Sequence, residues 1–327
     1  PLLEYRFEQG AYNSTANEVT DTSGNALHGT GGGLSGATPG VARTSPARGT
    51  TTGTCGYAVF DRSAKEYVTV GSGLPNLPAM GSFTVTGWIR TTDRTQANQR
   101  IFIQDEAGNA SSSNGYIFSL GDRGAGRLSF LTRATTAATD ETITTAVIAN
   151  NTWYFTAFGV DATSKRKFIV VLDTAGNTVA SVSTTYTQAT IGSTTGAVSI
   201  GGETNAAAGE ATASFGFAGN IDEVRVYPGA LSNSELSTVW GLSAGCAGLV
   251  ASYAFEDAAG YNGSAGELTD AAGWSGGPFN GRAEGAALPS TATASPARVG
   301  ATGTCGYGSF PGPNTNGGYF TITGLPL

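Results

Sequence analysis

The stretch that decides the fold is Gly219–Trp240, which has the sequence GNIDEVRVYPGALSNSELSTVW. Val224 and Val226 alternate with charged or aromatic neighbours in this stretch. Because side chains of a strand point alternately to its two faces, the alternation predicts a strand over Ile221–Tyr227. One face of this strand is expected to be buried and the other to be exposed to solvent.

A turn and a helix are predicted to follow that strand. Pro228 and Gly229 cannot continue a strand ladder, so the strand is expected to end there. Ser232 and Glu235 then have the spacing of a capping box, which starts a helix. Leu236, with two further apolar residues in the next turn, would face the protein.

The residues before this stretch are nearly all strand by the same criterion. Short alternating segments recur and are separated by turns rich in Gly, Asp, Asn and Ser. The alternating segments are Phe83–Arg90, Arg100–Gln104, Tyr116–Leu120, Arg127–Arg133, Trp153–Val160, Phe168–Asp173 and Ala197–Gly201. Because no helical segment intervenes, the pattern predicts an all-β, antiparallel β-sandwich.

The first eighty or so residues recur after Cys246. LLEYRFE near the start is answered by LVASYAFE at Leu249–Glu256, and TGTCGY at Thr52–Tyr57 recurs at Thr302–Tyr307. Repeats this far apart indicate tandem domains rather than a solenoid. We expect a whole domain at residues 1–245 and a partial second copy at residues 246–327, in a sequence that is an internal piece of a longer chain. With the central strands absent, residues 249–327 are expected to be ordered only through contact with other chain segments or a partner.

Several of these segments resemble the laminin-G-like jelly rolls of the concanavalin A-like lectin and glucanase superfamily. The resemblance implies a jelly roll fold and a role in binding carbohydrate or another ligand. The segments that carry it are LEYRFE at Leu3–Glu8, DTSGNALHGT at Asp21–Thr30, FTVTGWIR at Phe83–Arg90, NTWYFTAF at Asn151–Phe158, VLDTAGNTVAS at Val171–Ser181 and the closing strand and helix.

A narrower resemblance rests on LLEYRFE, the Asp-x-Ser-Gly-Asn segment and TGTCGY. Together these resemble MshQ-type surface proteins, which are encoded with mannose-sensitive haemagglutinin type IV pili. The resemblance implies an extracellular, pilus-associated protein of a bacterial cell surface that acts in adhesion.

Composition excludes two classes of partner. The net charge is −7 and charged residues make up 13% of the chain, without the clustered Lys and Arg that phosphate binding needs. We therefore expect no nucleic acid partner. The longest apolar runs, such as Phe168–Leu172, have strand length, so no membrane span is expected.

The three cysteines, Cys55, Cys246 and Cys305, make an odd count. If each repeat holds one bridge, Cys246 pairs with Cys305, and the partner of Cys55 precedes Pro1. A Cys55–Cys246 bridge across the first domain is the alternative, because connectivity cannot be deduced from sequence alone. Either bridge implies an oxidising compartment.

Catalysis is not expected. Glycoside hydrolysis needs two carboxyl groups that flank the scissile bond, and the Glu-x-Asp-x-Glu arrangement of the superfamily's glucanases is absent. Asp222 and Glu223 are adjacent on the closing strand, so alternation places them on opposite faces. His28 is the only histidine, and no serine lies in a nucleophile-elbow motif.

A structural Ca²⁺ ion is expected at the segment from Asp21 to His28. Asp21 and Asn25 supply oxygen ligands of the kind that calcium prefers, and the glycine between them permits a tight turn. Laminin-G-like domains often hold calcium at this turn, and the resemblance brings His28 and Asp222 to the same place. The alternative is an Asx-type turn that is held by Asp21 and Asn25 without metal.

A glycan site would need an aromatic platform with amides or carboxylates nearby. Trp88 and Trp153 lie in apolar strands, which favours a core position for both. The other large aromatics are Tyr116, Tyr154 and Trp274, and the loop-borne polar candidates are Asp105, Asn109, Asn114, Asp122 and Asn205. The sequence does not rank them.

These observations favour a non-catalytic module that binds a glycan or another surface ligand. The alternative is a structural fibre subunit that associates with itself or with a neighbouring repeat by strand addition across an open edge. Glycan binding by the monomer separates the two.

Overall fold

The computed structural model describes residues 1–8, 11–42, 56–71, 74, 77–105, 115–133, 139–144, 146–186, 197–203 and 215–243. After these it describes residues 264, 281–284, 290–292, 307–309 and 319–322. The chain divides into two compact units, Pro1–Cys246 and Ala247–Leu327.

In its described residues the first unit contains fifteen strands and one α-helix, with short 3₁₀ turns at Leu34–Gly36 and Leu77–Met80. The strands are β1 Leu3–Tyr5, β2 Thr30–Gly32, β3 Gly40–Ala42, β4 Tyr57–Phe60, β5 Tyr67–Thr69, β6 Phe83–Thr91, β7 Gln99–Asp105, β8 Gly115–Leu120, β9 Leu128–Arg133, β10 Thr139–Ile143, β11 Tyr154–Asp161, β12 Arg166–Leu172, β13 Thr178–Thr185, β14 Val198–Ile200 and β15 Gly219–Pro228. The helix is α1, Asn233–Ser243.

Two antiparallel sheets form the first unit. The first sheet runs β13-β12-β11-β6-β15-β4-β3, with β1 also paired to β15. The second sheet runs β10-β9-β8-β7-β14-β5-β2. The predicted all-β antiparallel sandwich is therefore confirmed.

The closing strand β15 pairs with β1, β4 and β6 of the first sheet. Its first half pairs with β4 and β6, and its second half pairs with β1 and β6. A bulge lies between Asp222 and Arg225, where Glu223 has a φ of 51°. This bulge interrupts the simple alternation that the sequence predicts.

The face of β15 that the sequence predicts to be wet is buried. Glu223 and Arg225 are 2% and 5% exposed. Arg225 makes ion pairs with Glu223 and, at 2.7 Å, with Glu4 of β1, and Arg6 lies 3.3 Å from Glu223. We call Glu4, Arg6, Glu223 and Arg225 the charge cluster. The prediction was wrong here because polar side chains can be buried when they are paired with one another.

The main core lies between the two sheets. Phe83, Val85 and Ile89 of β6 all contribute to it, as the alternation in FTVTGWIR predicts. Phe158 of β11 stacks on Phe118 of β8 with ring centroids 4.3 Å apart. Burying one such ring is worth about 2–3 kcal/mol, so these contacts account for much of the cohesion between the sheets.

A second apolar layer covers the outer side of the first sheet. Trp88, Phe155 and the helix residues Leu236 and Val239 belong to it. The predicted helix is thus confirmed, and its capping box is formed because Ser232 Oγ accepts a hydrogen bond from Glu235 N–H at 3.3 Å while Ser232 N–H donates to Glu235 Oε2 at 2.7 Å.

The second unit has four described strands, β16 Gly281–Glu284, β17 Ser290–Ala292, β18 Tyr307–Ser309 and β19 Tyr319–Ile322. β16 pairs with β19, and β17 pairs with β18. Ala292 pairs with Tyr307 as Ala42 pairs with Tyr57, with both residue numbers shifted by 250. β16 and β19 pair in the register of β2 and β5 with residue numbers shifted by 252, since Arg282 pairs with Thr321 as Thr30 pairs with Thr69.

Candidate ligand-binding groove

One rim of the sandwich is formed where β4 and β6 end and β15 begins. Gly219 is paired with both Phe60 and Thr91, so the three strand ends lie side by side. Gly219 has a φ of 150°, and a Cβ atom there would collide with the carbonyl oxygen of Arg90. Only glycine allows this close approach.

The chain crosses between the two sheets at this rim, through residues 61–66, 92–98 and 215–218. These segments border an open groove of about 750 Å³, which lies within the size range of small-molecule sites. The groove is lined by Thr38, Gly40, Val59, Phe60, Asp61, Arg62, Ser63, Glu66, Thr92, Asp93, Gln96 and Ala218. We call it the rim groove.

Two carboxylates of the rim groove belong to the turn between β4 and β5. Asp61 Oδ1 accepts hydrogen bonds from Ser63 N–H at 2.7 Å and Ser63 Oγ at 2.6 Å. These bonds, led by the one from the hydroxyl, lower the pKa of Asp61. Asp61 N–H donates a hydrogen bond to Glu66 Oε2 at 2.6 Å, so the Glu66 carboxylate is fixed to the backbone of Asp61.

Glu66 is nine-tenths buried and lies against the rim groove. Burial raises its pKa, and the neighbouring Asp61 adds to the rise. Within the described part of the chain, its Oε1 atom makes no hydrogen bond. A carboxylate oxygen that keeps acceptor capacity beside a groove can accept a hydrogen bond from a ligand there.

A third carboxylate, Asp93, lies in the loop that follows β6. Its Oδ1 accepts hydrogen bonds from Thr95 N–H at 2.9 Å and Thr95 Oγ1 at 2.6 Å, and its Oδ2 accepts one from Gln96 Nε2 at 2.9 Å. The hydroxyl of Thr95 makes the largest contribution to lowering the pKa of Asp93. Asp93 therefore remains ionised at neutral pH.

Arg62 holds the crossing segments of the rim together. Its Nη1 donates to Gly216 O at 2.7 Å, and its Nη2 donates to Ala97 O at 2.9 Å. Burial lowers the pKa of Arg62, and the nearby Arg100 lowers it further. The guanidinium thus donates two hydrogen bonds to the backbone of this rim.

The neighbouring Arg100 is buried and is neutralised by two acids. Its Nη1 lies 2.7 Å from Asp122 Oδ2, and its Nε lies 3.1 Å from Glu203 Oε1. The guanidinium also covers the ring of Phe215 at 4.8 Å from the ring centroid. Asp122, a loop candidate of the sequence analysis, is therefore a partner of Arg100.

The Asp21 turn, residues 21–28, lies near the other end of β15, where β1 pairs with it. Asp21 Oδ1 accepts hydrogen bonds from Glu4 N–H and Ser23 N–H, both at 2.9 Å. Its Oδ2 accepts bonds from Ser23 Oγ at 2.8 Å and Leu27 N–H at 2.9 Å. Burial acts to raise the pKa of Asp21, but these bonds outweigh it, and the net pKa is lowered.

The other residues predicted to bind calcium are placed differently. Asn25 Nδ2 donates to Leu2 O at 3.0 Å, and His28 Nδ1 accepts from Asp21 N–H at 3.0 Å. Asp222 is fully buried in the bulge of β15, and β1 separates that strand from the Asp21 turn. At about 4.8 Å per strand spacing, Asp222 is not brought to the turn.

This donor set does not suit a cation, because N–H and O–H groups already point at both oxygens of Asp21. In the described ranges, no group of three or more His, Cys, Asp or Glu residues is arranged to hold a metal ion. Of the two interpretations that the sequence left open, the geometry favours the metal-free Asx-type turn. Calcium binding stays a prediction.

The aromatic candidates for a sugar platform are buried. Trp88 and Tyr116 are fully buried, and Trp153 and Tyr154 are 7% and 8% exposed. The predicted core positions of Trp88 and Trp153 are confirmed. Trp274, Asn109, Asn114, Asn205, the side chain of Asp105 and the cysteines Cys55, Cys246 and Cys305 lie outside the described residues.

Sequence reasoning missed the carboxylates of the rim groove. Asp61 and Glu66 occupy a polar turn between two short strands, and Asp93 follows the end of FTVTGWIR. The turn could have been found from the Asp-x-Ser pattern, which is typical of Asx-type turns. Its proximity to Asp93 could not, because that depends on which strand ends meet.

Among the described residues, the only α-helix has eleven residues, and no helix is long and apolar enough to cross a membrane.

Three solved structures illustrate what this chain is similar to. The binding domain of Paraclostridial Mosquitocidal Protein 1 is 16% identical over 74% of this chain, with a TM-score of 0.47, and the match covers 52% of that chain. Domain 4 of AbnA, an extracellular arabinanase of family GH43 from Geobacillus stearothermophilus in complex with arabinotriose, is 17% identical over 72% of this chain and 98% of its own, with a TM-score of 0.47. The CBM40 of the Ruminococcus gnavus IT-sialidase is 19% identical over 51% of this chain and 89% of its own, with a TM-score of 0.41.

No curated protein matches the chain. Residues 62–237 match the family Laminin_G_3, which is described as the concanavalin A-like lectin/glucanases superfamily. The match covers more than half of the chain and includes Arg62, Glu66 and Asp93 of the rim groove. The chain therefore belongs to the Laminin_G_3 family of the concanavalin A-like lectin/glucanases superfamily.

Proposed function

We propose that this protein is a non-catalytic carbohydrate-binding module and that its ligand occupies the rim groove. The observation that carries the proposal is the groove itself, which is open to solvent and lined by polar side chains already oriented by hydrogen bonds. A site whose side chains are held in place before binding loses less conformational freedom when the ligand arrives. Membership of a lectin and glucanase superfamily supports a saccharide as that ligand.

The arrangement of acids supports binding rather than hydrolysis. Asp61 and Glu66 are joined on one turn, whereas a glycosidase places its two carboxyl groups on either side of the scissile bond. Both oxygens of Asp93 are engaged by Thr95 and Gln96. The adjacent pair on the closing strand, Asp222 and Glu223, is buried and out of reach of a polysaccharide.

The proposed setting is the extracellular surface of a bacterium, in an MshQ-type, pilus-associated adhesion protein. The TGTCGY motif and the acidic, glycine-rich composition support this setting. In this setting the rim groove would attach the protein to a glycan of another surface. Labelling of intact cells with an antibody against residues 1–243 tests the location, and staining only after lysis would contradict it.

We also propose that residues 246–327 begin a second copy of the same domain. The support is the shared register of β17 with β18 and of β3 with β4, together with the recurring TGTCGY motif. Peptide mapping under non-reducing conditions tests the accompanying prediction of a bridge between Cys246 and Cys305. A peptide that links Cys55 to Cys246 would establish the alternative.

Binding to a glycan array, followed by titration calorimetry with the glycans retained, tests the proposed function. Thr92 is exposed on the rim groove, so T92W should fill the groove and abolish binding. T163W is the matched control, since Thr163 is exposed in the turn after β11 at the opposite rim. Equal binding by T92W and T163W would show that the ligand binds outside the rim groove. Glycan hydrolysis that E66Q abolishes would contradict a non-catalytic role.

A further inference from the structure

We infer that the rim groove selects glycans that donate hydrogen bonds and carry no acidic group, and that it binds amino sugars more tightly than neutral ones. This inference rests on the proposed function, because it names the class of glycan that the same groove accepts.

The first support is the balance of charge in the rim groove. The carboxylates of Asp61, Glu66 and Asp93 line it, and Arg62 is its only cationic lining residue among those described. Arg62 directs two of its N–H groups to the backbone carbonyls of Gly216 and Ala97. The neighbouring cation, Arg100, is already paired with two acids. The potential in the groove is therefore negative, which attracts cations and repels anions.

The second support is the direction of hydrogen bonding at Glu66. This residue is nine-tenths buried, and among the described residues only its Oε2 has a donor, the N–H of Asp61. Oε1 can therefore accept a hydrogen bond from a ligand. Sugar hydroxyl groups and ammonium groups are donors, and a hydrogen bond to a charged acceptor is stronger than a neutral one. The carboxylate of a uronic acid cannot donate and would lie beside a like charge.

The ionisation of the other two acids supports the same direction. Hydrogen bonds from Ser63 lower the pKa of Asp61, and those from Thr95 and Gln96 lower the pKa of Asp93. Both acids are therefore charged at neutral pH. Their charge remains in the groove whatever the state of Glu66.

The experiment compares three classes of immobilised polysaccharide, namely chitosan, a panel of neutral glucans, galactans, mannans and arabinans, and the polyuronates pectate and alginate. Wild-type protein, E66Q, D93N and D161N are measured against each class at low and physiological salt. D161N is the matched control because Asp161 holds an Asx-type turn like Asp61 but lies at the opposite rim. Eight residue steps along β6 place the two rims about 26 Å apart.

The expected order for the wild type is chitosan, then the neutral polysaccharides, with no retention on polyuronates. E66Q should weaken retention on chitosan about tenfold, since 1.4 kcal/mol corresponds to a factor of ten and a charged hydrogen bond is worth at least that much. D161N should behave as the wild type. Added salt should weaken the binding of chitosan more than that of the neutral panel.

Three results would overturn the inference and leave the proposed function intact: retention on polyuronates as tight as on chitosan, neutral polysaccharides bound more tightly than chitosan, or no effect of E66Q on chitosan. Equal losses in E66Q and D161N would indicate attraction to the net charge of the protein, and would also overturn it. A wild type that binds none of the three classes would remove the proposed function itself. If E66Q does not fold, as judged by its melting curve, D93N replaces it, and an unchanged preference for chitosan in D93N would then contradict the inference.

Discussion

The Asp21 turn and the turn of residues 61–66 in the rim groove are both acidic and lie near ends of β15, but their hydrogen bonding differs. Asp21 accepts four hydrogen bonds from the chain itself, including those from Glu4 N–H and Leu27 N–H. Glu66 accepts one hydrogen bond from the described part of the chain, that of Asp61 N–H, and faces an open groove. An acidic turn is structural when the chain's own donors fill its lone pairs, and it becomes a candidate for binding when one lone pair is left for a ligand.

The largest effect is expected where two acids of the charge cluster share one cation. R225A would remove the cation that Glu4 and Glu223 share, and would leave Glu223 with Arg6 alone. Removing one member of a buried pair costs about 3–5 kcal/mol. Chemical denaturation should show a loss of this size, while the glycan affinity of the folded fraction stays at the wild-type value. The double variant R225M with E223Q should recover part of the loss, and no recovery would contradict the role of the pair.

D21A tests the metal-free interpretation of the Asp21 turn. The substitution leaves the N–H groups of Glu4, Ser23 and Leu27 without their acceptor, which should cost about 2–3 kcal/mol. Melting curves recorded with calcium and with a chelator should show the same loss, because hydrogen bonds do not depend on calcium. A loss that appears only with calcium present would establish the calcium site, since a ligand that binds only the folded state stabilises it.

The two turns should respond to acid in opposite directions. The pKa of Asp21 is lowered in the folded protein, so its stabilisation is present above the pKa of the unfolded chain and is lost as the pH falls through the folded pKa. The pKa of Glu66 is raised, so its ionisation opposes folding, and that penalty disappears as the pH falls through its folded pKa. Between pH 6 and pH 3, the free energy of unfolding of D21N should fall less than that of the wild type. That of E66Q should fall more, because E66Q lacks the stability that the wild type gains when Glu66 takes up a proton.

Binding of chitosan should follow the same titration. As the pH falls from 7, Glu66 takes up a proton before Asp61 or Asp93, whose pKa values are lowered. The amino groups of chitosan gain protons over the same range, so the effect of Glu66 is measured as the ratio of wild-type affinity to E66Q affinity, which should fall a few-fold as the pH falls. A ratio that stays constant through this range would contradict the placement of Glu66 in the site.

The smallest effect on stability is expected for D61N. Asparagine preserves the Asx-type turn, because its side-chain oxygen can still accept hydrogen bonds from Ser63. The free energy of unfolding should change by less than about 0.5 kcal/mol, as for most surface substitutions. The affinity for chitosan should nevertheless fall. A larger loss of stability than D21A shows would reverse the contrast between the two turns.

Local sequence determined the elements of this protein. Alternation in FTVTGWIR placed Phe83, Val85 and Ile89 in the core, and the spacing of Ser232 and Glu235 marked the start of α1. These features were predictable because strand alternation and helix capping depend on residues a few positions apart.

Only the tertiary structure decided what the charged side chains do. The burial of Glu223 and Arg225 depends on β1 pairing with β15, and the rim groove depends on β4, β6 and β15 ending together at Gly219. Alternation predicted that one face of β15 is exposed to solvent, but its charged residues are buried in the charge cluster. The sequence by itself therefore determined which segments become strands and which apolar residues they bury. Which carboxylates are saturated and which are left for a ligand was decided by contacts between residues far apart in the chain, because a lone pair is filled by whichever donor the fold brings to it.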